Sequence, residues 1–330
     1  MGELTAIELD TPPDDFLADE PEGAAFHQAF LASRIKDFKC GYLQISRDGQ
    51  RVAVVPFFLG AFSLTTLLPE GLLKHSLAWL RFRYACVGHP STDFGMIDGE
   101  INAKILALVN ATLAKKSPLI AYKGFSEPLP LSGFNQVSGL PVAVLTPKGD
   151  YYSMLDGHRR NDFRHKLHAA STLIFEEYST LPQHLQSPVY RLYLDTLAHA
   201  EVSFEILTPE YFNAMSGLGK FHLYFEGERL IGFLQLITKS GKATLKYLGM
   251  DHLRNRPYYL YFAMCLRAIE ASVAAGCTRI ELGVSSVQAK QLMGCELIET
   301  RIYYRHRNAL IHWLSGKCKF MLEPKSAQLR

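Results

Sequence analysis

FHLYFEGERLIGFLQLITKSGKATLKYLGM, Phe221–Met250, reads as a three-strand meander. Apolar and aromatic runs are broken twice by turn chemistry, at Glu226-Gly227-Glu228-Arg229 and at Ser240-Gly241-Lys242. Downstream, a long helix is expected from about Tyr258 to Ala275, stopped by Gly276. A strand RIELG (Arg279 to Gly283) follows, then a short helix carrying Gln288, Leu292 and Met293. The run ELIETRIYYRHRNALIHWL is expected to close the chain as a hairpin around His306-Arg307-Asn308.

Upstream, the same order of elements appears. GYLQISRDGQRVAVVPFFLG predicts strand, turn, strand, with the D-G signal of Asp48-Gly49 at the turn. YACVG (Tyr84 to Gly88) is a strand. A helix from Asn102 to Lys116 follows, with Ile105, Leu106, Val109 and Leu113 at helical spacing. PLIAYKG is a strand, and LPVAVLTP is expected to close this half. The halves share an order of elements without sharing residue identities, which predicts a structural duplication. The predicted division is a mobile acidic lead-in over residues 1–23, a first domain over 24–150 and a second over 151–330.

With 330 residues, 48% hydrophobic and 20% charged, the chain has material for two folded cores and no disordered character. A net charge of +3 excludes a generally basic nucleic-acid binder, so any anion site must be local. The six cysteines form no C-x-x-C pair and sit in apolar contexts. The acidic start lacks the apolar segment of a signal peptide, which predicts a cytoplasmic protein with free thiols. VAVVPFFLGAFSLTTLL (Val52 to Leu68) carries no charge, but Pro56, Gly60 and its β-branched residues predict two buried strands, not a membrane span.

The local charge lies in HRRNDFRHKLH, His158 to His168, with four Arg or Lys, three His and one acid. Ser153-x-x-Asp156 signals a helix start, and Phe163, Leu167 and Ala170 form a narrow apolar stripe. Arg160, Arg164 and His168 fall four residues apart and make one basic ridge, while Asp162 and Lys166 can pair on the outer face. A solvated helix face and an anion site both fit this pattern.

In order and spacing, the meander, the long helix ending AAGCTRIELG, and Lys290 before Met293-Gly294 resemble one half of a GNAT acyltransferase. The basic helix and the similar half before it resemble the FemAB group, with its BioF2-like and CelD-like relatives. The resemblance covers nearly all of residues 40–315. It implies an α/β (α+β) chain of two tandem GNAT-like domains, each a mixed, mostly antiparallel sheet flanked by helices. It further implies transfer of an activated acyl group to an amine, with the strands Lys246–Met250 and Arg279–Gly283 splayed around an acyl-CoA or acetyl-CoA cosubstrate and no metal. The cofactor residues are then Leu248, Gly249, Met250, Arg254, Asn255 and Arg256. The family typically shows Q/R-x-x-G-x-G/A after the first of these strands. Here HLRNRPYYL (His252 to Leu260) has no glycine, and Arg254 and Arg256 are left to meet phosphates.

Three residues are candidates for the chemistry. Lys290 matches a lysine used near the reacting acyl group, where an ammonium can steady an oxyanion. Glu281 alternates with Ile280 and Leu282 and can take the amine proton from the cleft side. Tyr304, alternating with Tyr303, can orient substrate or protonate a leaving group. Arg160, Arg164 and His168 are the candidates for holding an anionic acceptor, a small molecule or a cell-envelope precursor bearing an amine. Each has a plain structural reading beside it: an exposed helix lysine, a salt-bridged carboxylate, core tyrosines. His199-Ala200-Glu201 lacks the P-C-x-x-C of zinc deaminases and is rejected as such a site. Two alternatives stay open, a tRNA-dependent aminoacyltransferase acting on a cell-wall precursor and a non-catalytic binding scaffold.

Overall fold

The computed structural model describes residues 2–35, 37–63, 81–199, 205–319 and 323. In chain order its elements begin β1 (Leu4–Leu9), α1 (Ala24–Ala32), β2 (Lys39–Arg47), β3 (Gln50–Ser63), β4 (Arg81–Val87), β5 (Asp98–Gly99), α2 (Ala103–Ala114), β6 (Leu119–Phe125), β7 (Asn135–Ser138) and β8 (Val142–Leu145). They continue with α3 (Gly157–Ala169), β9 (Ile174–Tyr178), α4 (Gln183–Ala198), α5 (Pro209–Ala214), β10 (Lys220–Glu226), β11 (Arg229–Lys239) and β12 (Lys242–Met250). The last are α6 (His252–Tyr258), α7 (Leu260–Ala274), β13 (Arg279–Gly283), α8 (Val287–Leu292), β14 (Glu296–Ile298), β15 (Arg301–His306) and α9 (Ala309–Lys317).

The first compact unit comprises Met1–Phe16, Lys36–Pro141 and Glu299–Ser326. Its sheet runs β1-β2-β3-β4-β6-β15-β7, with β5 alongside β3, and is antiparallel except at β4/β6. That parallel pair needs a crossover, which contains α2. Asn102 starts α2 by accepting the amides of Lys104 and Ile105, and Ile105, Leu106, Val109 and Leu113 bury the face the spacing predicted. The β2–β3 turn places Asp48 and Gly49 at φ of 51° and 82°, as a two-residue hairpin of the D-G kind requires.

Among the described residues, the second unit comprises Leu17–Ile35 and Val142–Ile298. Its sheet runs β9-β10-β11-β12-β13-β8-β14 and is parallel only at β12/β13. The Phe221–Met250 meander is present as β10-β11-β12, and Ser240-Gly241 turns with both φ values positive. The crossover helix α7 buries Leu260, Ala263, Met264, Leu266, Ala268 and Ile269 in the core, which explains its nearly continuous apolar sequence.

Position for position the two sheets match, β1 with β9 through β7 with β14, so the predicted duplication is present in topology. The duplication is not divided at 150/151. The sixth position of the first sheet is filled by β15 and that of the second by β8. LPVAVLTP therefore does not close the first half; its strand pairs with β13 and β14. Short apolar strands carry no mark of their partner in sequence, which is why the linear division fails.

Four further expectations change. The lead-in is ordered: β1 pairs with β2, Phe16 is fully buried, and Glu22 is buried in the second unit. No hairpin forms at His306–Asn308, because Asn308 caps α9 by accepting the amides of Leu310 and Ile311. The long helix is broken at Tyr259, which has a φ of 46°. Val52 to Leu68 holds one continuous strand to Ser63 in place of two, and its remainder lies outside the described residues. No described helix is long and apolar enough to cross a membrane.

Candidate functional site

The second unit contains a gap in its sheet. β12 and β13 pair at Lys242–Arg279, Ala243–Ile280 and Thr244–Glu281, and there the pairing stops. β12 continues to Met250 along β11, and β13 continues to Gly283 along β8, so the strands part as expected. In the first unit the equivalent pairing of β4 with β6 runs on to Val87, the last residue of β4. β12 also carries a bulge beside the gap, where Lys246 and Tyr247 together oppose Gln235. A bulge takes one residue's backbone out of the ladder and bends the strand.

Around the bulge lies a polar cluster that the sequence reading missed. Lys246 pairs with Glu22, both side chains being 5% exposed, and lies over the Phe26 ring at 5.0 Å. The Tyr247 hydroxyl donates to Glu205. Tyr211, fully buried, has a hydroxyl 3.4 Å from Gln235 Oε1, and burial with the nearby Glu22 and Glu205 charges pushes its ionisation well up. A lysine inside the apolar strand ATLKYLGM was the available signal.

Lys290, in α8, is 3% exposed, so it is neither an exposed helix lysine nor open to solvent. Its charge acts on the thiols of Cys265 and Cys295, which burial raises to about 11 and about 12 and which Lys290 pulls partly back. Glu281 stands opposite Thr244 at the last paired position, where the strands begin to part. Its carboxylate is 3.0 Å from Arg279 Nε. Tyr304 belongs to the first unit, on β15, and its hydroxyl donates to the Ser315 carbonyl at 2.9 Å. The strand exchange thus separates it in sheet membership from Lys290 and Glu281. The Tyr303 hydroxyl accepts from the Leu129 amide.

Leu248, Gly249 and Met250 lie on β12 along the gap, paired with Leu234, Phe233 and Gly232. Gly249 is required there: an added Cβ would sit 2.4 Å from the Phe233 ring and 2.7 Å from the Leu192 backbone of α4. After β12, Asp251 caps α6 by accepting the Leu253 amide. Arg254 Nε lies 3.2 Å from Glu226, and Arg256 is exposed. Asn255 Oδ1 accepts the Tyr261 amide at 3.0 Å, in the first turn of α7. One donor at the helix end where an anion would rest is therefore already taken.

HRRNDFRHKLH forms α3, capped by Asp156 through the Arg159 amide. Phe163 is buried against Phe262, and His165 meets the Tyr259 ring edge-on at 5.7 Å. Lys166 pairs with Asp162, as the spacing predicted, but packs inward over the Phe262 ring at 4.3 Å instead of facing outward. Arg160, Arg164 and His168 make no ion pair among the described residues; Arg160 is half-buried and the other two are exposed. In the first unit, a cleft of about 450 Å³ runs between α2 and the 130–134 loop, lined among others by Ala107, Ala111, Phe134, Arg305 and Arg307. Of these only Arg307 figured in the sequence reading, as a turn residue.

No protein-family profile and no curated protein sequence matches the chain. Solved structures do. FemX aligns over 87% of this chain and 93% of its own, with 10% identity and a TM-score of 0.56. L-PGS from Bacillus licheniformis aligns over 81% and 85%, with 10% identity and a TM-score of 0.54. A tandem GNAT protein from the clavulanic acid biosynthesis pathway aligns over 93% and 99%, with 12% identity and a TM-score of 0.53. At such identities the likeness is one of architecture, and the duplicated meander, the crossover helices and the parted parallel pair agree with it: the chain has the tandem GNAT fold.

Proposed function

We propose that this protein is an acyltransferase that moves an activated acyl group to an amine acceptor at the gap between β12 and β13. The parting of the two strands after Thr244 and Glu281, in this unit alone, carries the reading. An amine attacking an ester or thioester carbon builds negative charge on the carbonyl oxygen and releases a proton. The bulge at Lys246-Tyr247 lies beside the gap where that charge would build. Glu281, at the point where the strands part, is placed to take the proton directly or through water. Lys290 then adds positive charge from below the surface. The six free thiols fit a cytoplasmic setting.

Acyl-CoA or another carrier thioester is the donor to test first, with Arg254 and Arg256 meeting its phosphates. One observation favours the aminoacyl ester of a tRNA instead: Asn255 occupies the Tyr261 amide at the start of α7, and the positive-φ turn before it is made by Tyr259 in place of a glycine. FemX and L-PGS share the fold, which suits an amine on a cell-envelope precursor as acceptor and a small amine as the simpler case. The experiment is to incubate the protein with labelled acyl-CoAs, and separately with aminoacyl-tRNAs, and a panel of amines. Mass spectrometry of the products shows which donor is consumed. Transfer from neither, with no heat on titration of CoA or tRNA, would leave the fold as a binding scaffold.

A further inference from the structure

We infer that Asp195, His199 and His252 form a binding site for a divalent transition-metal ion, zinc by its chemistry. The three residues come from two elements of the second unit. Asp195 and His199 are four residues apart at the C-terminal end of α4, on one face, and His252 is the first residue of α6. Their ligating atoms lie within 4.8 Å of one another, and they are the one such group among the described residues.

Two details point to a metal beyond mere proximity. His199 Nδ1 lies 2.7 Å from the Asp195 carbonyl oxygen. A carbonyl only accepts, so Nδ1 carries the proton and Nε2 keeps its lone pair free, the tautomer a metal-binding histidine adopts when its other nitrogen is held by backbone. His252 Nε2 is shielded from solvent and has no hydrogen-bond partner. A buried imidazole nitrogen with nothing to bond costs free energy that a ligated ion recovers. Neither Asp195 nor either histidine is held in an ion pair among the described residues.

The two rings are now stacked, with centroids 4.1 Å apart and planes 28° from parallel. Zinc needs ligand atoms roughly 2.0–2.2 Å from the ion, hence about 3.3 Å from each other. Ligation therefore turns the rings out of the stack until their in-plane lone pairs converge. Asp195 and His199 are exposed at this corner. Two imidazoles and one carboxylate are borderline donors, which favour zinc or cobalt over magnesium or calcium. Three protein ligands leave a fourth position for water or another group. The ion would join the end of α4 to the start of α6, at the corner where Thr196 Oγ1 already accepts the Met250 amide. It would thereby fix the exit of β12 whether or not the protein transfers acyl groups.

The test is calorimetric titration of the full chain, stripped with chelator, with zinc chloride and separately with magnesium chloride. One zinc per chain with a raised melting temperature is expected, and no heat from magnesium. His199→Ala and His252→Ala should each weaken zinc binding by more than about a hundredfold, since losing even an outer partner of a zinc ligand costs ~10–100-fold. His184→Ala, at the far end of α4, should bind as the parent does. Because His252 is partly buried, cobalt absorption in the exposed-site variant His199→Ala gives a second readout, in which the visible bands of the parent complex should vanish. The proposal is overturned if zinc leaves heat and melting unchanged. It is equally overturned if the His199 and His252 variants bind zinc like the parent, which would mean stacked imidazoles and no site.

Discussion

Lys246 on β12 and Glu22 in the N-terminal segment form an ion pair from which water is almost excluded. Such a pair adds little net stability, but breaking one side leaves a bare buried charge. Glu22→Gln is expected to cost about 3–5 kcal/mol. The double variant Glu22→Gln with Lys246→Met should regain most of it. Urea midpoints of the three proteins check this, and a Glu22→Gln midpoint equal to the parent's would show the pair to be solvated.

His27 gives the fold a pH dependence. Burial, reinforced by the Lys246 charge, holds its pKa at about 3, against 6.5 for a free imidazole. Between those values the unfolded chain takes up a proton that the folded chain refuses. Stability is therefore full above about pH 6.5 and falls as pH drops toward 3, by at most about 1.4 kcal/mol per pH unit from this group. Melting curves from pH 7 to pH 5 should show a shallower decline in His27→Gln than in the parent.

Lys290 separates catalysis from packing. Lys290→Met is expected to lower turnover roughly a hundredfold with little change in the Michaelis constant, the pattern for a group that acts on transition-state charge. Normal turnover in a protein that melts early would make Lys290 a structural residue.

The basic helix should divide into two behaviours. Lys166→Ala removes an ammonium held over the Phe262 ring and should cost about 1–2 kcal/mol. Arg160→Ala with Arg164→Ala should leave the melting temperature near the parent's and raise the acceptor's Michaelis constant at low salt, with turnover nearly intact. An unfolded double arginine variant would place those two residues in the scaffold.

Where local chemistry decides the outcome, the sequence was readable. Asp48-Gly49 and Ser240-Gly241 make their turns, Asn102 and Asp156 cap their helices, and the parting of β12 from β13 lies where the resemblance implied. Partnership between distant segments was not readable. Val142–Leu145 is wholly apolar and Arg301–His306 mixes basic and aromatic residues, and neither composition singles out a sheet. Within the lead-in, β1 pairs with β2, and Glu22 meets Lys246 some 220 residues away. Lys290 was taken from its motif without its burial, and Asp195, His199 and His252 meet only once α4 and β12 are packed, so no spacing in the sequence announces them.

The crossed membership of β8 and β15 also sets a timetable for the nascent chain. β15 sits between β6 and β7, so the slot it fills lies inside the first sheet and not at its margin. Roughly 160 residues separate β7 from β15. At a synthesis rate of ~5–20 residues per second the slot stays vacant for roughly 8–30 s. Through that interval the backbone edges of β6 and β7 are unsatisfied and open to pairing with other chains. β8 waits in the same way for β13. The polypeptide thus leaves the ribosome as two incomplete sheets; the second closes once β14 is released and the first only with β15.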